Sequence, residues 1–297
     1  MERLEFEVLS AVDENRDLSL RSKAYGYSKE ALAAAKVQVV QKGWLGEDKI
    51  TDKGIAALEP YKVKRVVFLA AGFGSRMVPI TINTPKPMVR VHGKRIIEIL
   101  IDAVLAAGID EIYIIRGYLG EQFELLRKKY PMIRLIDNPY YDGTGTISSF
   151  YYARNILDHA YVMESDLVVN NPGVVHRYHY TSDFLGTKVD RTDDWFLKTD
   201  DAGTITEIGV GGSGDHCYRL IGMSYWDGRD GKKLAHDIQE AYNSPEGHKL
   251  PMSYVPFRVY RDKYRIDIMP CRETDVVEID SFAELQAFDE TYKTNAI

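Results

Sequence analysis

An unbroken apolar run, Val66-Val67-Phe68-Leu69-Ala70-Ala71, leads straight into Gly72-Phe73-Gly74-Ser75-Arg76-Met77, and Thr84-Pro85-Lys86-Pro87 comes shortly after. The run has the length and β-branched content of a buried strand, and the chain then turns abruptly glycine-rich and basic. Gly72 and Gly74 lack a Cβ, so the backbone there can adopt strained dihedrals and bring its N–H groups against a bulky anion. Arg76 and Lys86 add positive charge at the same edge. Gly-Phe-Gly alone would be explained by an ordinary turn after a core strand. Ser-Arg and Thr-Pro-Lys-Pro at this spacing favour a phosphate-holding loop. The pattern is not a Walker P-loop, since no Gly-Lys-Ser/Thr closes it, and not a dinucleotide fingerprint, since position 77 is Met.

From Lys64 onward the pattern alternates strand and helix. It predicts strands at 64–71, 111–116, 133–137 and 160–165, with helices at about 94–108, 119–130 and 145–158. Such alternation implies an α/β fold with a right-handed, mostly parallel, Rossmann-like sheet, its ligands bound beyond the carboxyl ends of the strands. After Asp166 the texture changes to short β-like runs near 183–190, 194–199, 204–210 and 217–226, then helices near 230–243 and 281–291. This half reads as an antiparallel region where an acceptor is recognised.

Residues 1–62 differ in texture and are expected to form a separate small unit ahead of one spanning 63–297, joined at Glu59-Pro60-Tyr61-Lys62. Leu4, Val8, Leu9 and Val12 fall at helical spacing, and Ser28 caps a run of helix formers that Gly43 ends. Trp44 to Thr51 alternates around a polar turn like a short hairpin, before another helix. Helices followed by a hairpin predict a winged helix-turn-helix. Its ten Lys/Arg (Arg3, Arg16, Arg21, Lys23, Lys29, Lys36, Lys42, Lys49, Lys53, Lys62) face eleven Asp/Glu. Duplex binding draws most of its affinity from phosphate neutralisation, so a dimerisation or regulatory module is favoured over DNA binding.

A net charge of −6 also argues against non-specific nucleic-acid binding by the whole chain. Cys217 and Cys271 stand far apart without a Cys-x-x-Cys partner, which excludes a disulfide framework or zinc site and suggests packing residues in a reducing compartment. A charged N-terminus and short apolar stretches predict neither a signal peptide nor a membrane span, and hence a soluble cytoplasmic protein. The pattern carries no signature of oligomeric state.

Leu69-Ala-Ala-Gly-Phe-Gly-Ser-Arg76 and Thr84-Pro-Lys-Pro87 resemble the signature of nucleotidyltransferases, which join a nucleoside triphosphate to a phosphorylated small molecule and release pyrophosphate. Within that superfamily the chain is similar to bacterial choline-phosphate cytidylyltransferases over about residues 64–292. The likeness includes Gly117-Tyr118, Ile147-Ser148-Ser149, Glu164-Ser165-Asp166, Asp194-Trp195, Ser224-Tyr225-Trp226 and Glu278-Ile279-Asp280-Ser281. The resemblance implies CTP and a phosphorylated acceptor, phosphocholine first, as substrates. Leu69, Ala70, Ala71, Gly72, Phe73, Gly74 and Ser75 would then hold the nucleotide, and Arg76, Lys86 and Asp166 would be catalytic.

Asp166 ends one predicted strand and Asp280 another, at the edge that bears the glycine loop. Phosphate-bound Mg²⁺ takes one or two carboxylates and leaves its other positions to water and phosphate. From position alone, Asp280 reads equally as the N-cap of the following helix. The resemblance implies that Asp166 and Asp280 bind Mg²⁺. Glu164 and Glu278, two residues before each, share their strand faces and read as supporting groups or as salt-bridge partners. In-line attack of an acceptor phosphate on the α-phosphorus needs no protein nucleophile and no strong base, only alignment and charge neutralisation.

Thr146 and Ser148 lie where the resemblance puts the base-contacting loop; Ser148 reads equally as a helix cap. For the acceptor, Trp195 and Trp226 lie beside acidic residues, as a quaternary ammonium requires, and the resemblance matches them to choline-site tryptophans. Asp194 and Tyr254 extend that set, and Lys188 and Arg191 are the nearest cations for the acceptor's phosphate. The chain departs from its relatives at Pro251-Met252-Ser253, where an aromatic-Trp-acid run is expected, so another phosphorylated amine, a phosphonate or a sugar 1-phosphate is a standing alternative. A winged-helix regulator with a nucleotide-sensing domain is a third reading, opposed by the complete set Arg76, Lys86, Asp166 and Asp280.

Overall fold

The computed structural model describes residues 1–47 and 49–293. Asp48, in the turn expected within 44–51, and the last four residues of the 63–297 unit lie outside them.

β1 (Arg65–Ala70) runs through the middle of the main sheet. β4 (Glu111–Arg116) pairs parallel on one side of it, with β5 (Arg134–Asp137) beyond, and β6 (Ala160–Glu164) pairs parallel on the other. Val66, Val67 and Phe68 are all 0% exposed, which requires cover on both faces of the strand. α5 (Ile96–Ala106) supplies one cover, packing with Val66 and Phe68. α6 (Ile147–Ala153) and α7 (Gly228–Tyr242) supply the other, packing with Val67. A short hairpin of β2 (Arg90–Val91) and β3 (Lys94–Arg95) leads into α5.

The expected antiparallel half is present. β11 (Cys217–Trp226) pairs antiparallel with β6 and carries both β8 (Asp183–Lys188) and β9 (Arg191–Thr199), with β10 (Ile205–Ser213) outermost. β12 (Asp267–Cys271) lies parallel to β8. A separate two-stranded ribbon joins β7 (Leu167–Val169) to β13 (Val276–Glu278), and α8 (Phe282–Phe288) comes next. The segment expected as a helix over 119–130 is instead a 3-10 helix at Gly120–Lys128. Its buried residues Phe123 and Leu126 stand three apart, which suits three residues per turn.

The N-terminal segment contains α1 (Arg3–Asp13), α2 (Ser19–Tyr25), α3 (Lys29–Gln41) and α4 (Asp52–Leu58). Ser28 and Thr51 cap α3 and α4 by accepting from the backbone N–H groups of Ala31 and Gly54. Between those helices a single bridge among the described residues, Leu45 to Ile50, stands where the hairpin was expected. Phe6, Leu9, Ala35, Val39, Leu45 and Leu58 form a small core with Tyr178 from the main body. The periodicity gave no sign of α2, which leaves this core and lies on β12: the Tyr25 hydroxyl donates to the Ile268 carbonyl, and the Arg3 guanidinium covers the Tyr25 ring while pairing with Asp267. The segment is therefore built into the sheet's flank.

Candidate active site

The glycine loop leaves β1 at the carboxyl edge of the sheet. Gly74 has φ +70°, and a Cβ there would lie 3.1 Å from the Lys86 Cβ, so a larger residue would meet both backbone strain and crowding. The Thr81 hydroxyl donates to the Gly74 carbonyl at 2.9 Å and fixes the turn. Phe73 rests edge-on against Tyr118, whose backbone N–H donates to the Ala71 carbonyl. Gly117 permits this approach, because a Cβ would sit 2.7 Å from the same carbonyl. Gly72, Ser75 and Arg76 are left exposed at the rim.

Beyond the loop, carboxylates converge from two strand ends. The Lys86 ammonium lies 2.7 Å from both Asp166 Oδ2 and Asp280 Oδ1, and Arg76 reaches Asp280 at 2.8 Å. Burial alone would lower the Lys86 pKa, but Asp166 and Asp280 outweigh it and the net shift is upward. The ambiguity over Asp280 is resolved locally. Ser281 caps α8, and the Glu284 carboxylate accepts from the backbone N–H groups of both Asp280 and Ser281, so the Asp280 side chain is free to face the cleft.

Glu164 and Glu278 complete the cluster, with ligand atoms of Glu164, Asp166 and Glu278 all within 4.8 Å of one another. Neither glutamate forms an ion pair among the described residues. Burial first, then the charge of Asp166, pushes Glu164 up to about 8 and Glu278 up to about 9. Gly222 makes room for Glu164, since a Cβ there would fall 2.7 Å from Glu164 Oε2. It sits where β11 bulges out of register with β8 between Leu220 and Ser224.

These groups line a cleft of about 310 Å³ together with Leu69, Thr146, Asp194 and Trp195. Of the other expected residues, Ala70 and Ala71 are buried at the end of β1, and Tyr254 stacks edge-on against Trp195 at 5.8 Å. Ser148 is buried, its hydroxyl engaged with Asn138, Thr144 and the Gly145 carbonyl. Lys188 and Arg191 lie outside the cleft lining, with Arg191 paired to Asp193 in solvent. The expectation that Trp226 walls the acceptor site is corrected: it is 0% exposed, wedged between Phe184 and Tyr264, and its indole N–H donates to the Ser224 hydroxyl. β11 pairs Trp226 with Ala160, at the amino end of β6 and away from the carboxyl edge that bears Glu164, so its indole packs in the core with Leu234 and Ile238 of α7. The Leu220–Ser224 wall was missed; a glycine inside an apolar strand pattern was its only trace.

Residues 65–183 match the nucleotidyl transferase family model. The chain is 36% identical over 229 residues to a 2-aminoethylphosphonate cytidylyltransferase of Lancefieldella rimae, covering 76% of this chain and 92% of that one. It is 34% identical over 182 residues to a choline-phosphate cytidylyltransferase of Streptococcus pneumoniae, covering 61% and 78% respectively. The solved structure of the CTP:phosphocholine cytidylyltransferase from Streptococcus pneumoniae superposes with a TM-score of 0.70 at 30% identity, over 77% of this chain and 99% of that one. A glycine loop, a strand-end aspartate pair bridged by a lysine, and relatedness at this level over nearly the whole length of a curated relative converge: the chain belongs to the nucleotidyltransferase family, as an enzyme of the cytidylyltransferase type.

Proposed function

We propose that the chain is a Mg²⁺-dependent cytidylyltransferase that joins CTP to a small phosphonate or phosphate bearing a primary amine, 2-aminoethylphosphonate foremost, and releases pyrophosphate. The observation that carries the choice of acceptor is the character of the cleft wall. A quaternary ammonium makes no hydrogen bonds and needs aromatic faces around it. Here Trp195 is the one tryptophan lining the cleft among the described residues, and the Tyr254 ring already holds the Arg258 guanidinium 3.8 Å from its centroid. Glu164, Glu278 and Asp194 supply hydrogen-bond acceptors instead, which a primary ammonium can use and a choline head cannot. The curated relative of this specificity matches over more of the chain than the choline-phosphate one does.

The donor set fits Mg²⁺. Asp166 and Asp280 offer hard oxygen ligands, and Asp166 Oδ1 is a buried atom with no hydrogen-bond partner among the described residues. When bound there, the ion would neutralise the α-phosphate and the departing pyrophosphate. The chain's own residues do the remaining work. Backbone N–H groups of residues 72–75 and Arg76 would cradle the triphosphate, and Lys86 would bring a fixed positive charge to the reacting phosphoryl group. Glu164 would hold the acceptor's ammonium so that its phosphonate oxygen faces the α-phosphorus in line. That oxygen forms the new P–O bond as the bond to pyrophosphate breaks. We read residues 1–62 as a winged-helix-like regulatory or dimerisation module.

Pyrophosphate release with CTP and a panel of acceptors tests this. The expected order of kcat/KM is 2-aminoethylphosphonate, then phosphoethanolamine, with phosphocholine about tenfold or more lower and sugar 1-phosphates inactive. Faster turnover of phosphocholine than of either primary amine would overturn the choice. Glu164→Gln should raise KM for the amine acceptor and leave KM for CTP nearly unchanged.

A further inference from the structure

A second cavity, of about 430 Å³, lies in the seam between the N-terminal segment and the main body. Its floor holds the buried Arg21 and His176, and its walls carry Arg16, Arg177 and Arg272. Four guanidinium groups thus line a space whose three carboxylates, Glu14, Asp17 and Asp275, are already engaged. Glu14 accepts from the Arg177 backbone N–H and pairs with Arg16. Asp17 accepts from the backbone and hydroxyl of Ser19, and Asp275 accepts from Asn171 Nδ2 and the Arg272 backbone N–H. The Arg272 guanidinium forms no ion pair or hydrogen bond among the described residues, and Arg177 spends its Nε and Nη1 donors on the Ala107 carbonyl and Asp13, which leaves Nη2.

We propose that this seam is a binding site for a small phosphate- or phosphonate-bearing anion, held by Arg177 and Arg272 and coupled to the catalytic aspartates. Forked guanidinium donors suit a tetrahedral oxyanion. Dispersed surface arginines would not share one concave wall, and these four come from three separate stretches of chain, residues 16–21, 177 and 272. The coupling path is the ribbon of β7 and β13. At the cavity end, the Asp275 carbonyl accepts from the backbone N–H groups of Asn170 and Asn171. At the other end, the Ile279 N–H donates to the Asp166 carbonyl, with Asp280 next in the chain. An anion that draws Arg272 toward Arg177 pulls directly on the strand that delivers Asp280. The inference does not depend on which acceptor the enzyme uses.

The test uses the full-length chain carrying Lys86→Ala, which disables the catalytic site, and follows thermal unfolding with inorganic phosphate, 2-aminoethylphosphonate or CMP as probes. A probe that binds should raise the midpoint by several degrees at saturating concentration. Arg177→Ala with Arg272→Ala in the same background should weaken that response at least tenfold in probe concentration. The arms separate a free phosphate, a substrate and a nucleotide as the source of the anion. No rise with any probe, or a double variant whose response equals that of the Lys86→Ala parent for every probe, overturns the site. In the otherwise unaltered enzyme, turnover should change with the active probe and lose that response in the double variant. A turnover that ignores the probe in both proteins overturns the coupling.

Discussion

The catalytic cleft and the N-terminal seam both bury charge against the same sheet, and they balance it in opposite ways. In the cleft, Glu164, Asp166, Glu278 and Asp280 outnumber Lys86 and Arg76, and two of the carboxyls are pushed far above their ordinary range. In the seam, Glu7 lies between Arg21 at 2.7 Å and Arg16 at 4.0 Å, Arg3 meets Asp267, and Arg177 meets Asp13. One region gathers carboxyls, those of Glu164 and Glu278, without a fixed cationic partner among the described residues, whereas the other pairs most of its charge internally and leaves the Arg272 guanidinium and part of Arg177 open. Paired charge, as between Arg21 and Glu7, fixes one body against another, and charge left open, in the cleft or at Arg272, is where a ligand can be held.

The largest expected effect is on stability at the seam. Arg21→Ala would leave the buried Glu7 with only Arg16, at 4.0 Å, and should cost about 3 kcal/mol, measured by denaturant unfolding. A loss below about 1 kcal/mol would mean the seam is not a rigid joint. Lys86→Ala should do the reverse, lowering kcat by about two to three orders of magnitude while the folded state survives. Near-normal turnover in that variant would remove Lys86 from the catalytic set.

The pH dependences should also oppose each other. Glu164 and Glu278 have folded values of about 8 and about 9 against an ordinary 4.5, so they bind protons more tightly in the folded state. Their contribution is complete below pH 4.5 and is lost as pH rises through 8 and 9. His176 is held well below its ordinary 6.5, by burial first and then by Arg16 and Arg21. Its contribution is present above pH 6.5 and declines as pH falls below that value. The metal-free protein should therefore lose a few degrees of thermal midpoint on the alkaline side, and Glu278→Gln should flatten that limb. His176→Asn should flatten only the acid limb. An alkaline limb unchanged by Glu278→Gln would show that the carboxyl is already ionised.

Local signals carried much of this molecule. The run Val66–Ala71 has the length and β-branched content of a buried strand, Ser28 and Thr51 start two helices by side-chain capping, and Gly74 marks a left-handed turn. The glycine loop, Lys86 and Asp166 were legible for the same reason: each depends on residue type and spacing over a few positions. Less legible was anything decided by which face of an element meets a distant partner. Trp226 reads as well for a choline wall as for a core residue, and only the pairing of β11 with β6 sends it inward. Asp280 reads as a helix cap until Ser281 and Glu284 are seen to take that role. The affinity of α2 for β12 and the arginine-lined seam rest on contacts between residues some 250 positions apart, such as Arg21 with Met269. The sequence by itself determined the strand and the phosphate-holding loop, because those follow from backbone freedom and short-range chemistry, and its resemblance to nucleotidyltransferases carried the reaction class. Tertiary packing alone decided which carboxylates stay unpaired, which tryptophan lines the cleft, and that the N-terminal helices are fastened to the sheet, because burial and charge pairing are properties of the assembled neighbours.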